Sequence, residues 1–93
     1  MSQIVDYKGN STLLVNPEDE YKVYFGREKC RKIIDSLYSI RMHVISYQGQ
    51  QGAKPKLTIA ENDEYPIELS YYKCVKILEY QGEIRRFAEE GEL

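Results

Sequence analysis

Residues 21–41 read Tyr21-Lys22-Val23-Tyr24-Phe25-Gly26-Arg27-Glu28-Lys29-Cys30-Arg31-Lys32-Ile33-Ile34-Asp35-Ser36-Leu37-Tyr38-Ser39-Ile40-Arg41, and the hydrophobic period changes inside this stretch. Tyr21, Val23 and Phe25 alternate with Lys22 and Tyr24, the period of two that a half-buried strand requires. From Cys30 onward, Ile33, Ile34, Leu37 and Ile40 follow at i+3, i+4, i+7 and i+10, one apolar face of a helix. A strand that feeds directly into an amphipathic helix is therefore the local unit. Leu13 and Val15 supply the strand before it, and the polar Asn16-Pro17-Glu18-Asp19 makes the pair a hairpin.

The same grammar returns 44 residues later. Leu57 and Ile59 lie over Leu13 and Val15, Asp63-Glu64-Tyr65 over Asp19-Glu20-Tyr21, and Lys73-Cys74-Val75-Lys76-Ile77 over Lys29-Cys30-Arg31-Lys32-Ile33. Ile84-Arg85 lies over Ile40-Arg41, with Phe87 and Ala88 extending the second apolar helix face. At a shift of 40, Ile4-Val5-Asp6-Tyr7-Lys8-Gly9 resembles Val44-Ile45-Ser46-Tyr47-Gln48-Gly49, which predicts a further strand over Met42–Gln48 and ends the first helix near Arg41. Ser70 and, more weakly, Gly26 are the expected N-caps, Gly82 is a point where the second helix kinks or shortens, and Pro66 marks strand 65–69 as an edge or an irregular start.

The predicted fold class is α+β: two tandem β-β-β-α units, approximately 3–41 and 43–90, forming an antiparallel sheet with both helices packed on one face and a pseudo-twofold internal duplication. At 93 residues the chain is expected to be a single domain, 1–93. Its start, Met1-Ser2-Gln3-Ile4-Val5-Asp6, lacks the basic and apolar regions of a signal peptide, and no apolar run reaches membrane length. Two cysteines are too few for a disulfide scaffold, so the expected compartment is cytoplasmic.

Chemistry is sparse. There is one histidine, His43, no Cys-x-x-Cys, no phosphate loop and no nucleophile elbow, so neither catalysis nor a metal or other cofactor is expected. Cys30 and Cys74 read as small buried hydrophobes, and the acidic hairpin turns as solvated.

Charge is more informative. The net charge is −2, yet residues 21–60 sum to +6 between acidic flanks of −3 and −5. Within that basic middle, Tyr47-Gln48-Gly49-Gln50-Gln51-Gly52-Ala53-Lys54-Pro55-Lys56 has two lysines, amide side chains and no acid. Nine tyrosines accompany it. Tyr21 and Tyr65 share the phase of the core and are placed at its rim, while Tyr24 has the opposite phase and stands beside Lys22 on the other sheet face with Leu14. Bases for phosphates and aromatics for unpaired bases make Lys22, Tyr24, Arg41, His43, Tyr47, Lys54 and Lys56 a candidate single-stranded nucleic-acid site. The same tyrosines equally suit a protein interface, in an inhibitor or accessory protein of phage type or a homodimer whose open sheet faces pair.

Pro66-Ile67-Glu68-Leu69-Ser70 leading into Cys74-Val75-Lys76-Ile77-Leu78 and Ile84-Arg85-Arg86-Phe87 resembles the last strand and helix of the Pur-repeat, Whirly and positive-coactivator families. That resemblance is one of topology. It implies a sheet face that holds unpaired nucleic acid, although those families have four strands per unit where three are legible here, and it transfers no binding residue.

Overall fold

The structure, a computed structural model, describes residues 1–93. Strands β1 (Gln3–Tyr7), β2 (Asn10–Leu14) and β3 (Tyr24–Gly26) form an antiparallel sheet in the order β1-β2-β3. Helices α1 (Arg27–Asp35) and α2 (Leu37–Tyr47) follow. Strands β4 (Leu57–Ile59) and β5 (Ile67–Leu69) form a separate antiparallel pair, and α3 (Tyr71–Glu79) and α4 (Gln81–Glu90) complete the chain. The fold is α+β, as the change of period predicts, but its strands make two sheets rather than one.

Residues 42–48 correct the expected repeat. They are helical through Tyr47, so there are five strands and four helices, three strands and two helices before residue 48 and two strands and two helices after it, and the expected pair of strand-strand-strand-helix units is not found. The reason lies in α2. Leu37, Ile40 and Val44 pack inward, while Tyr38, Met42 and Ile45 are apolar on the opposite side. A helix apolar on two sides loses the one-sided periodicity that identifies it, and over 42–48 it mimics alternation. The similarity at a shift of 40 therefore joins a strand, β1, to a helix.

Both helix pairs break at the same relative place. Ser36 (φ −114°, ψ 18°) separates α1 from α2, and Tyr80 (φ −112°, ψ 25°) separates α3 from α4, so the break falls two residues before Gly82. Each bend sends its second helix across to the other half: α1 packs on α4, and α2 on α3. The ion pairs cross in the same manner. Lys32 meets Asp63 at 2.7 Å and Lys76 meets Asp19 at 2.8 Å, each joining a helix of one half to the hairpin turn of the other.

Ser70 caps α3, its Oγ accepting the Lys73 N–H at 3.2 Å, whereas Gly26 supplies extended backbone at the start of α1 and no side-chain bond. The α4 C-terminus, ended by left-handed Gly91, is satisfied by two arginines of α1. Arg27 donates to the Ala88 and Glu89 carbonyls and Arg31 donates to Ala88. Much of the basic run on α1 thus neutralises the negative end of a neighbouring helix.

The core draws on every element but β1: Leu13, Val15, Val23 and Phe25 from the first hairpin, Ile59, Ile67 and Leu69 from the second, and Cys30, Ile33, Leu37, Ile40, Cys74, Ile77, Ile84, Phe87 and Ala88 from the helices. Full burial of a side chain such as Ile33 or Phe87 contributes about 1.5–3 kcal/mol. Both cysteines are free and fully buried, and burial pushes the Cys30 thiol up to about 12 and the Cys74 thiol to about 11. Tyr21 and Tyr65, expected at the core rim, are exposed instead, because the ordered strands begin only at Tyr24 and Ile67.

Asp19 anchors the first turn to α3. The Lys76 ammonium, with help from the Asn16 amide and the Tyr72 hydroxyl, holds its carboxyl below the usual carboxylate range. A depressed carboxylate stabilises the fold above its unfolded value of about 4, and that contribution is lost as pH falls through the lower folded value. Urea midpoints measured near neutrality and near pH 3 are expected to differ less in Asp19→Asn than in the parent chain, because the amide does not titrate.

Candidate nucleic-acid interface

The seven residues singled out by sequence fall on two separate surfaces. Lys22 and Tyr24 belong to the first hairpin. The Lys22 ammonium donates to the Pro17 and Asp19 carbonyls at 3.0 and 3.1 Å, so it closes its own turn. Tyr24 stands on the outer face of the three-stranded sheet, 49% exposed, above Leu14, its neighbour in the ladder. Leu14 itself is only 6% exposed, so the open pair expected there is a single tyrosine. Tyr24 and Tyr7, with Asn10, Thr12, Gly26 and Lys29, line a shallow groove on this face.

The other five collect around α2. Residues 48–56 fold back along the helix, and two contacts hold them there. Since a carbonyl oxygen only accepts, His43 Nε2 carries the hydrogen and donates to Pro55 at 3.0 Å. The His43 ring also leans on Tyr47 at 4.9 Å between centroids, an i, i+4 pair on one helix face. Lys54 lies over the ring of Tyr71 at 4.9 Å, tying the loop to the first turn of α3.

Helical geometry at about 100° per residue orders the outer side of α2. Tyr38, Met42 and Ile45 form a stripe, 72%, 41% and 56% exposed. Arg41 flanks it on one side and His43, with the Lys54–Lys56 loop, on the other. Arg41, Lys54 and Lys56 make no ion pair, whereas Lys32, Lys76, Arg31, Arg85 and Arg86 all do. Residues 36–60 contain no aspartate or glutamate at all. The result is an uncompensated basic surface with an apolar, tyrosine-bearing centre on a chain of net negative charge.

Sequence reasoning missed Tyr38 and Tyr71. The doublet Tyr71-Tyr72 was a visible signal, but the place of Tyr71 beside Lys54 depends on the packing of α2 against α3. No cluster of histidine, cysteine and acidic side chains in the structure could hold a metal ion, and no helix is long and apolar enough to cross a membrane. Comparison with models of protein families, with curated proteins and with solved structures finds no match to this chain.

Proposed function

We propose that this protein is a non-enzymatic binding protein that holds single-stranded nucleic acid on the α2 surface. The carrying observation is the set of cations without acidic partners, Arg41, Lys54 and Lys56, on an acid-free stretch that also carries the exposed Tyr38. These cations take phosphates. Tyr38 offers an open ring for a base, and stacking of this kind contributes about 1–3 kcal/mol per base. The reading keeps the partner class implied by the Pur, Whirly and positive-coactivator resemblance, and moves the contact from a sheet to a helix with its adjoining loop.

The test is fluorescence anisotropy of a labelled single-stranded oligonucleotide over a salt series. Three phosphate contacts at about 0.7 counterions each predict a slope of log K against log salt near −2. Absence of binding at low salt, or binding indifferent to salt, would overturn the reading.

One observation favours a second reading. The Tyr38–Met42–Ile45 stripe, rimmed by cations, also fits an acidic segment of a partner protein that lays an apolar face on α2. The oligonucleotide titration separates the two, since only the first requires the nucleic acid.

A further inference from the structure

Strand β1 is the one strand that contributes nothing to the core, and its outer edge is open. Its side chains are exposed or half-buried on both faces. Of the usual guards the edge has its short length and one charge, Asp6, while no proline, lysine or bulge interrupts residues 3–7.

The direction of its backbone groups follows from the ladders. The β1–β2 turn has two residues, Lys8 and Gly9, both with positive φ (52° and 83°), which is the type I′ hairpin. Tyr7 and Asn10 then form a hydrogen-bonded pair, and so do Val5 with Thr12 and Gln3 with Leu14. The other side of β2 agrees, since Val15 N–H donates to Val23 at 2.9 Å, so odd residues of β2 serve β3 and even ones serve β1. The N–H and C=O groups of Ile4 and Asp6 consequently point away from the sheet, and no side chain takes them. The neighbouring Ser2 N–H is already held by Glu83 at 2.9 Å, which limits the open edge to β1 itself.

We propose that β1 pairs antiparallel with β1 of a second copy, Ile4 opposite the second copy's Asp6, to give one continuous six-stranded sheet. The register is argued from self-complementarity. With Ile4 facing Asp6 on both sides of the twofold, all four outward polar groups of each chain are satisfied. Shifting the strands so that Asp6 faces Asp6 halves the bonds and opposes like charges, while facing Ile4 with Ile4 halves them as well. In the favoured register Val5 meets Val5 on the axis as a non-hydrogen-bonded pair, the closest side-chain approach in an antiparallel ladder. Tyr7 covers Gln3 on the same face. So short an edge buries less than a permanent interface does, so the dimer forms and dissociates with concentration.

Sedimentation velocity across a dilution series tests this on the intact chain. The mass is expected to rise from that of one chain, 10.9 kDa, toward twice that value. Val5→Lys, which sets two ammonium groups against each other on the axis, is expected to stay at single-chain mass while its circular dichroism is unchanged. Ile4→Pro, which deletes an outward N–H and no ladder bond, should act alike. Val5→Cys should cross-link chain to chain under mild oxidation, because the expected Cα separation of about 4.5 Å suits a disulfide. The native thiols are buried and do not compete. A single-chain mass at every concentration, or a dimer that survives both Val5→Lys and Ile4→Pro, would overturn the proposal. The nucleic-acid reading is untouched by either result, since it rests on α2.

Discussion

Replacing Asn16 with alanine is expected to lower stability by about 2–4 kcal/mol, the largest loss from any single polar side chain in the fold. Asn16 is fully buried and makes bonds in two directions. Its Oδ1 accepts the Val23 N–H at 2.7 Å, and its Nδ2 donates toward the Tyr21 carbonyl at 2.8 Å, Asp19 Oδ2 at 3.1 Å and Tyr72 Oη at 3.1 Å. Through these contacts it aligns the entry to β3, the acidic turn and the first turn of α3. Alanine leaves the buried Val23 N–H without an acceptor, and such an orphan costs about 1–3 kcal/mol by itself. For a domain of this size the loss corresponds to a fall in Tm of roughly 10–25 °C. Asn16→Asp gives no rescue, because a carboxylate cannot donate to the Tyr21 carbonyl and would sit beside Asp19. Thermal unfolding of the two variants checks this. A Tm within a few degrees of the parent for Asn16→Ala would mean that the network is incidental.

Asn16 also shows where the sequence stops being legible. Its place in Asn16-Pro17-Glu18-Asp19 marks a turn, and the turn is there. Nothing local reveals that Tyr72, 56 positions away, closes the same network. The alternation around Val23 and Phe25 and the helical face from Cys30 to Ile40 were readable because each element buries one side only. The Ser36 break was not, since neither glycine nor proline marks it and the apolar spacing runs straight through, whereas Gly82 signalled the Tyr80 break two residues late. The candidate site divides on the same line. His43, Tyr47, Lys54 and Lys56 come together because a loop folds back over residues that are near in sequence. Tyr71 joins them only through the crossing of α2 on α3. Lys22 was assigned to the site because composition counts a lysine as available, whereas two carbonyls of its own turn hold its ammonium.

That difference between Lys22 and the loop lysines gives the sharper test of function. The double substitution Lys54→Glu with Lys56→Glu is expected to weaken oligonucleotide binding by roughly 100- to 1000-fold at moderate salt. A charge pair near 4 Å is worth about 1 kcal/mol in water, and reversing the sign of one partner changes it by about twice that. Two reversals therefore amount to about 4 kcal/mol before screening reduces it. The salt slope should fall by about two thirds, from near −2 toward −0.7, as two of three phosphate contacts disappear. Folding should be unaffected, because neither lysine is in an ion pair and Lys54 contributes only its contact with the Tyr71 ring. Lys22→Glu makes one such reversal on the same basic middle of the chain, half the charge change of the loop pair, and is expected to leave affinity within about threefold, since distant surface charges are screened beyond roughly 10 Å. If Lys22→Glu weakens binding as much as the loop pair does, affinity follows total charge and α2 is not the site. If neither variant matters while Tyr38→Ala abolishes binding, contact rests on the apolar stripe, and the acidic segment of a partner protein becomes the occupant to pursue.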